Sequence, residues 1–288
     1  MVPKTNLPSL TKDELEQFNR DGFIVLRDVL PTPTIRLLMS AMDSIMADGG
    51  SFNRDRENGS DGYRNCISLH PDFIRLLDHP RTLMAALQIL GPHIHLMGTH
   101  AIHYRGGQAA PPKDPRWHTD IYGIPQDIGY EVVPRLAVKC AFCLSDHSQP
   151  NSGMTVLARG SNRLQRPFDV NHPEDARTVI VPALNAGDVF LFENRLWHAI
   201  GWNVQNHDRR CIMINYGFRW LKPLDYLTLD RQILTKMNPV QLDLIAGLDL
   251  DPQGYVASGR DGQVLNELFG SLRHSGAASL SPHGGMLQ

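Results

Sequence analysis

The sequence predicts an α+β fold: a double-stranded β-helix, or jelly-roll, barrel with helices packed on one side. Three observations lead there. The N-terminal third carries helical periodicity and cap signals, the stretch from His93 to Trp220 switches to short strands divided by turns, and helical spacing returns beyond Pro223. Short strands with frequent turn signals are what a jelly roll produces. A chain of 288 residues fits one such domain, expected over residues 1–270 with the barrel at about 93–220, followed by a disordered tail at 271–288.

Taken in order, Thr11-Lys12-Asp13-Glu14 has the form of a capping box, in which a hydroxyl and a carboxylate satisfy free amides at a helix start. That helix runs through Leu15 and Phe18 and stops near Gly22. Phe23-Ile24-Val25-Leu26 reads as a strand. Pro33 opens a second helix whose Ile35, Leu38, Met42 and Ile45 keep one apolar stripe; Met39 and Met46 extend it, so these methionines are read as core. Residues 49–66, rich in Gly, Asn, Asp and Arg, read as a polar loop. Short helices start at Pro71 and Pro80, the second ending before Gly91.

The β half begins with His93, His95, His100 and His103 crowded on one strand. No Cys or acid stands at ligand spacing to complete a zinc site with them. The Gly106 to Pro115 loop leads into the next motif and is expected to act as a lid. Leu136 to Leu144 is an apolar strand. Cys140 and Cys143 lie three apart on it, so they should diverge and be buried thiols instead of a redox pair. Strands follow at Met154–Leu157, Val179–Val181, Val189–Phe192 (after the tight Gly187-Asp188 turn) and Arg209–Tyr216. Helical spacing then covers Val240–Leu248 and Val264–Phe269, and the tail from Ser271 is rich in Ser, Gly and His, with His274 and His283 given no metal role.

The totals exclude several classes. Hydrophobic residues at 42% and charged residues at 20% are ordinary for a globular protein. A net charge of -2 gives no footprint for nucleic acid or an anionic membrane. No apolar run reaches about 18 residues, so no membrane span is expected, and Met1 to Asn6 lacks the apolar core of a signal peptide. Four cysteines in so long a chain make no disulfide framework, which points to a reducing, cytoplasmic compartment.

Chemistry concentrates at Trp117-His118-Thr119-Asp120. On an extended chain, a His and an Asp two apart share a face. His198, beyond an apolar strand, could bring a second imidazole alongside. Two imidazoles and one carboxylate with positions left open form the ligand set of non-haem Fe(II) oxygenases. Arg209 offers a planar, permanently charged fork for a carboxylate, and Arg210 beside it should face the other way. The H-x-D pattern alone is weak, because a surface turn can carry the same letters; the combination gives it weight.

These residues resemble the phytanoyl-CoA dioxygenase family of Fe(II)/2-oxoglutarate-dependent oxygenases. The resemblance rests on Phe18 to Leu26, on Trp117-His118-Thr119-Asp120, on the Asn151-Ser152-Gly153 and Gly160-Ser161 turns, and on Gly187-Asp188 leading to His198 and Arg209. It covers roughly residues 14–220. It implies a cupin-like barrel, His118, Asp120 and His198 as ligands of Fe(II), Arg209 on the distal carboxylate of 2-oxoglutarate, and Phe142 against that co-substrate. It further implies use of O2 to oxidise a C–H bond of a small-molecule substrate, with succinate and CO2 released. Halogenating relatives carry a small residue at the position of Asp120, so the carboxylate here implies hydroxylation, or desaturation or ring formation. Two departures stand out: the family's hydroxyl two after the distal His is Ile200, and its Gly-Ser-His turn is Gly160-Ser161-Asn162. Nothing marks a CoA-phosphate patch, which favours a small metabolite, such as a biosynthetic intermediate. Arg105, Arg116, Tyr122 and Arg219 are candidates to touch it. Two rival readings are a jelly-roll binding protein without redox chemistry and a zinc hydrolase, which would leave Arg209 without a task.

Overall fold

The computed structural model describes residues 8–48, 60–109, 115–121, 123–226, 228–245 and 263–274. The tip of the expected lid, Tyr122, His283 and the tail beyond 274 lie outside the described residues. Helix α1 (Lys12–Asp21) begins with the reciprocal capping box, Thr11 accepting from the Glu14 amide and Glu14 from the Thr11 amide. It ends at Gly22, where φ is +82° and an added Cβ would stand 2.8 Å from Leu196. Only glycine suits both the backbone and the space.

Strand β1 (Phe23–Leu26) and helix α2 (Thr32–Ala47) follow. Strand β2 (Ser60–Arg64) corrects the loop expected over 49–66, because its five residues pair with His100 to Tyr104. Polar composition hid this strand; its partner makes it. At Gly62 any Cβ would run into the His100 ring. Helices α3 (Cys66–Leu69) and α4 (Pro80–Leu90) lead to the long strand β3 (Ile94–Tyr104).

The barrel is completed by β4 (Ala137–Cys143), β5 (Val156–Ala158), β6 (Val179–Ile180), β7 (Val189–Glu193), β8 (His198–Ala199) and β9 (Arg209–Phe218). Two antiparallel sheets result, one ordered β1-β7-β4-β9-β3-β2 and the other β6-β5-β8. Their mixed order, with sequence neighbours in different sheets, is that of a double-stranded β-helix.

Alternation along the strands divides the large sheet into two faces. Val138, Cys140 and Phe142 of β4 join Ile212, Ile214 and Tyr216 of β9 in the main core, which the helices cover. Ala141 and Cys143, with Phe190, Phe192 and Leu157, form a smaller core between the sheets. Cys140 and Cys143 thus do diverge, and all four cysteines are buried and free. Phe142 is a correction. It is fully buried on the helix side, its ring edge-on to His79 at 5.9 Å, and so does not line the space between the sheets.

The C-terminal helices α5 (Pro239–Ile245) and α6 (Gln263–His274) pack on the same helical layer. The last one overturns the expected tail boundary: residues 271–274 are helical, because Leu265, Leu268 and Leu272 continue one buried stripe. No helix among the described residues is long and apolar enough to cross a membrane.

Candidate active site

The His118 segment is not a strand, as alternation had suggested, but a single bridge to His198. His118 N–H donates to the His198 carbonyl at 3.0 Å and His198 N–H to the His118 carbonyl at 2.9 Å. Arg116 and Ile121 on either side adopt left-handed φ values of 54° and 56°. Such residues cost of order 1 kcal/mol each and persist where the surroundings hold them. The bridge brings the two imidazoles together at a tilt of 51°, with ring centroids 4.2 Å apart. Asp120 bends back to the same point. One ligand atom from each of His118, Asp120 and His198 lies within 4.8 Å of the others, and no other such trio of His, Cys, Asp or Glu occurs among the described residues.

Proton placement suits a cation. Each ring turns Nδ1 to the carbonyl two residues back, Arg116 at 2.7 Å and Leu196 at 2.9 Å. A carbonyl only accepts, so both Nδ1 atoms carry a proton, and Nε2 is the nitrogen each neutral ring offers a metal. Burial drives the His198 ring down to about 3, keeping it neutral at pH 7. For Asp120, burial pushes upward, but Lys139, His198 and His118 outweigh it and hold the carboxyl at about 2. Two imidazole nitrogens and one carboxylate oxygen are a donor set for a divalent transition metal. His198 is buried and His118 is the more exposed of the two, so the cluster opens on the His118 side.

Lys139 is a site residue that the sequence reading passed over. Its ammonium lies 2.6 Å from Asp120 Oδ1 and over the Phe192 ring at 5.4 Å. The signal was there, a lone charge in the run from Leu136 to Leu144. His100 was weighed only within a histidine cluster on β3. That cluster does not form: His95 turns to Met97, His103 to Asp208, and His100 faces inward. The His100 Nε2 atom is buried without a hydrogen-bond partner. Burial first, then Arg64, Lys139 and Arg209, hold this ring well below its ordinary value.

Arg209 and Arg210 part company at the start of β9. Arg210 points to the helices and pairs with Asp43 of α2 at 2.6 Å. Arg209 is 5% exposed and faces inward. It donates through Nη1 to the Gly153 carbonyl at 3.1 Å and through Nη2 to Thr155 Oγ1 at 3.2 Å and Cys211 Sγ at 3.4 Å. Its Nε is buried with no acceptor. A buried guanidinium whose hydrogen-bond partners among the described residues are all neutral is costly unless an anion completes it. The residues present therefore fit a divalent metal with a carboxylate-bearing group beside it.

The other candidates fall elsewhere. Arg105 pairs with Asp61 at 3.1 Å, and Arg219 lies 3.6 Å from Asp243 in the C-terminal layer. Arg116 contributes its carbonyl to the His118 ring.

A family model described as phytanoyl-CoA dioxygenase (PhyH) matches residues 18–211, a span holding His118, Asp120, His198 and Arg209. An ectoine dioxygenase of Bordetella parapertussis is 27% identical over 162 residues, 54% of this chain and 50% of that protein. The chain thus spans about half the length of the curated relative it matches. Among solved structures, EctD from S. alaskensis with bound Fe is 22% identical at a TM-score of 0.62, covering 76% of this chain and 81% of that one. The non-heme alpha ketoglutarate dependent carbocyclase SnoK from nogalamycin biosynthesis is 17% identical at 0.60, covering 74% and 86%. These likenesses agree with the jelly-roll barrel and one-sided helical layer described above. The chain belongs to the phytanoyl-CoA dioxygenase family.

Proposed function

We propose that the protein is an Fe(II)/2-oxoglutarate-dependent dioxygenase that hydroxylates a C–H bond of a small-molecule metabolite and releases succinate and CO2. One observation carries this reading: His118, Asp120 and His198 converge within 4.8 Å, next to a strand that presents a buried Arg209 with an N–H to spare. His118 Nε2, His198 Nε2 and the Asp120 carboxylate would hold Fe(II), and Arg209 the far carboxylate of 2-oxoglutarate. Bound together, iron, 2-oxoglutarate and O2 supply the oxidising power to break a C–H bond.

The chain's own residues do the positioning. The paired Nδ1-to-carbonyl bonds fix ring orientation and leave the correct nitrogen bare. Lys139 keeps Asp120 ionised and aimed. Phe190, Phe192 and Leu157 wall the space between the sheets and exclude water from it. Substrate enters on the open His118 side. The carboxylate at position 120 favours hydroxylation over halogenation. A carbocyclase and an epimerase among the structural neighbours make ring formation or another redox outcome the second reading. The neighbours' place in nogalamycin biosynthesis and the ectoine relative support a small polar metabolite or natural-product intermediate as substrate.

The test is anaerobic loading with Fe(II) and 2-oxoglutarate, then O2 and a panel of small metabolites, scored by succinate. Succinate that requires Fe(II) and rises with one class of metabolite is expected. Metabolite binding with no iron dependence would favour a binding protein, and turnover with zinc but no succinate would favour a hydrolase.

A further inference from the structure

A second buried polar group lies beside Arg209 on the inner side of the sheets. The bridges Ser152↔Asn203, Val156↔Ala199 and Leu157↔His198 share one register, which sets Thr155 directly opposite Ile200. Thr155 is 5% exposed, and its hydroxyl accepts from Arg209 Nη2 at 3.2 Å. A hydroxyl that accepts one hydrogen bond still has its own proton to donate. Ile200 across the strand pair has no polar side-chain atom. The Tyr104 hydroxyl, on the neighbouring inward face, already donates to Gln108 at 2.7 Å. Beside Thr155, the Arg209 Nε–H is buried and unmatched. The two donors ask for one acceptor group with two oxygens and a negative charge.

We propose that Thr155 and Arg209 form a two-donor clamp for the far carboxylate of 2-oxoglutarate, with Thr155 of the β5 side supplying the hydroxyl that β8 lacks. The proposal rests on the co-substrate reading above. It assigns Thr155 a binding role that depends on the far carboxylate and not on the oxo-acid end.

Calorimetric titration of the full-length, Mn(II)-loaded protein without O2 tests it, using 2-oxoglutarate and, separately, pyruvate, which keeps the oxo-acid end and has no far carboxylate. Thr155→Val is expected to weaken 2-oxoglutarate at least tenfold, about 1.4 kcal/mol, and to leave pyruvate unchanged. Thr155→Ser retains most of the affinity. Thr155→Val combined with Ile200→Ser recovers it, because the hydroxyl returns from the opposite strand. Wild-type affinity in Thr155→Val would overturn the clamp, as would an equal loss for both ligands. Should wild-type protein bind neither oxo acid, the co-substrate reading itself falls, whereas a loss in Arg209→Ala but not in Thr155→Val removes the clamp alone.

Discussion

On β4, Val138, Cys140 and Phe142 point into the helical layer, while Lys139, Ala141 and Cys143 point between the sheets. On β9 the same one-residue step separates Arg210, which meets Asp43 of α2, from Arg209, which is buried with a free Nε. The outer face is apolar and closes on itself. The inner face gathers charges that the protein's own groups do not fully match. Comparing the two teaches that residue type alone does not assign a role in this barrel; the face does. An arginine is a tie to a helix on one side and a buried donor with an unmatched N–H on the other, and a phenylalanine near the site in sequence belongs to the core.

The comparison can be broken by substitutions on either side. The largest effect is expected from His118→Ala or Asp120→Ala, which should abolish Fe(II) binding and succinate release while the thermal unfolding transition persists. Retained succinate release would show that the ligand assignment is wrong. Next, Phe142→Ala should cost roughly 3–5 kcal/mol of stability, as expected for a fully buried aromatic, yet leave 2-oxoglutarate affinity within about twofold. A specific loss of affinity at full stability would restore Phe142 to the pocket. Third, Arg209→Ala should weaken 2-oxoglutarate roughly 10- to 150-fold, since a hydrogen bond to a charged group is worth about 1.5–3 kcal/mol. Arg210→Ala removes only a tie to an exposed Asp43, worth about 0–1 kcal/mol, and should leave binding unchanged. Equal effects in titrations would collapse the distinction between the faces.

The smallest expected effect is acid sensitivity from buried histidines, His79 on the helical side included. Burial lowers His147 and His198 to about 3, and His100 well below its ordinary 6.5. The unfolded chain therefore binds protons that the folded chain refuses. Stability should fall as pH drops below about 6.5, by at most roughly 1.4 kcal/mol per pH unit for each fully buried ring. Asp120 adds to the loss only below its ordinary 3.8, as the pH falls towards about 2. Denaturant midpoints measured from pH 7 to 4.5 should decline without a plateau. A flat wild-type profile would contradict the buried, neutral state of these rings.

What could be read from the sequence was what is local. The limits of α1 follow from Thr11, Glu14 and Gly22, each acting within one turn. The pattern around His118, Asp120 and His198 pointed to a cluster, and the fold brings the three together. Strand β2 was not legible, because its polar residues become a strand only against β3. The faces of β4 were not legible either: both are largely apolar, so period two was visible but its phase was not. Lys139 alone could have set that phase. Thr155 gave no local sign, since its partner Arg209 lies 54 residues away.

The ion pair of Lys139 with Asp120 has a consequence for how the centre fills. An incoming dication meets a carboxylate already matched by a tethered charge of its own sign, and a carboxylate oxygen 2.6 Å from an ammonium is partly spoken for. Lys139 therefore competes with the metal for Asp120, and occupancy must respond to the metal available. Lys139→Met would make the centre a greedier and less discriminating chelator.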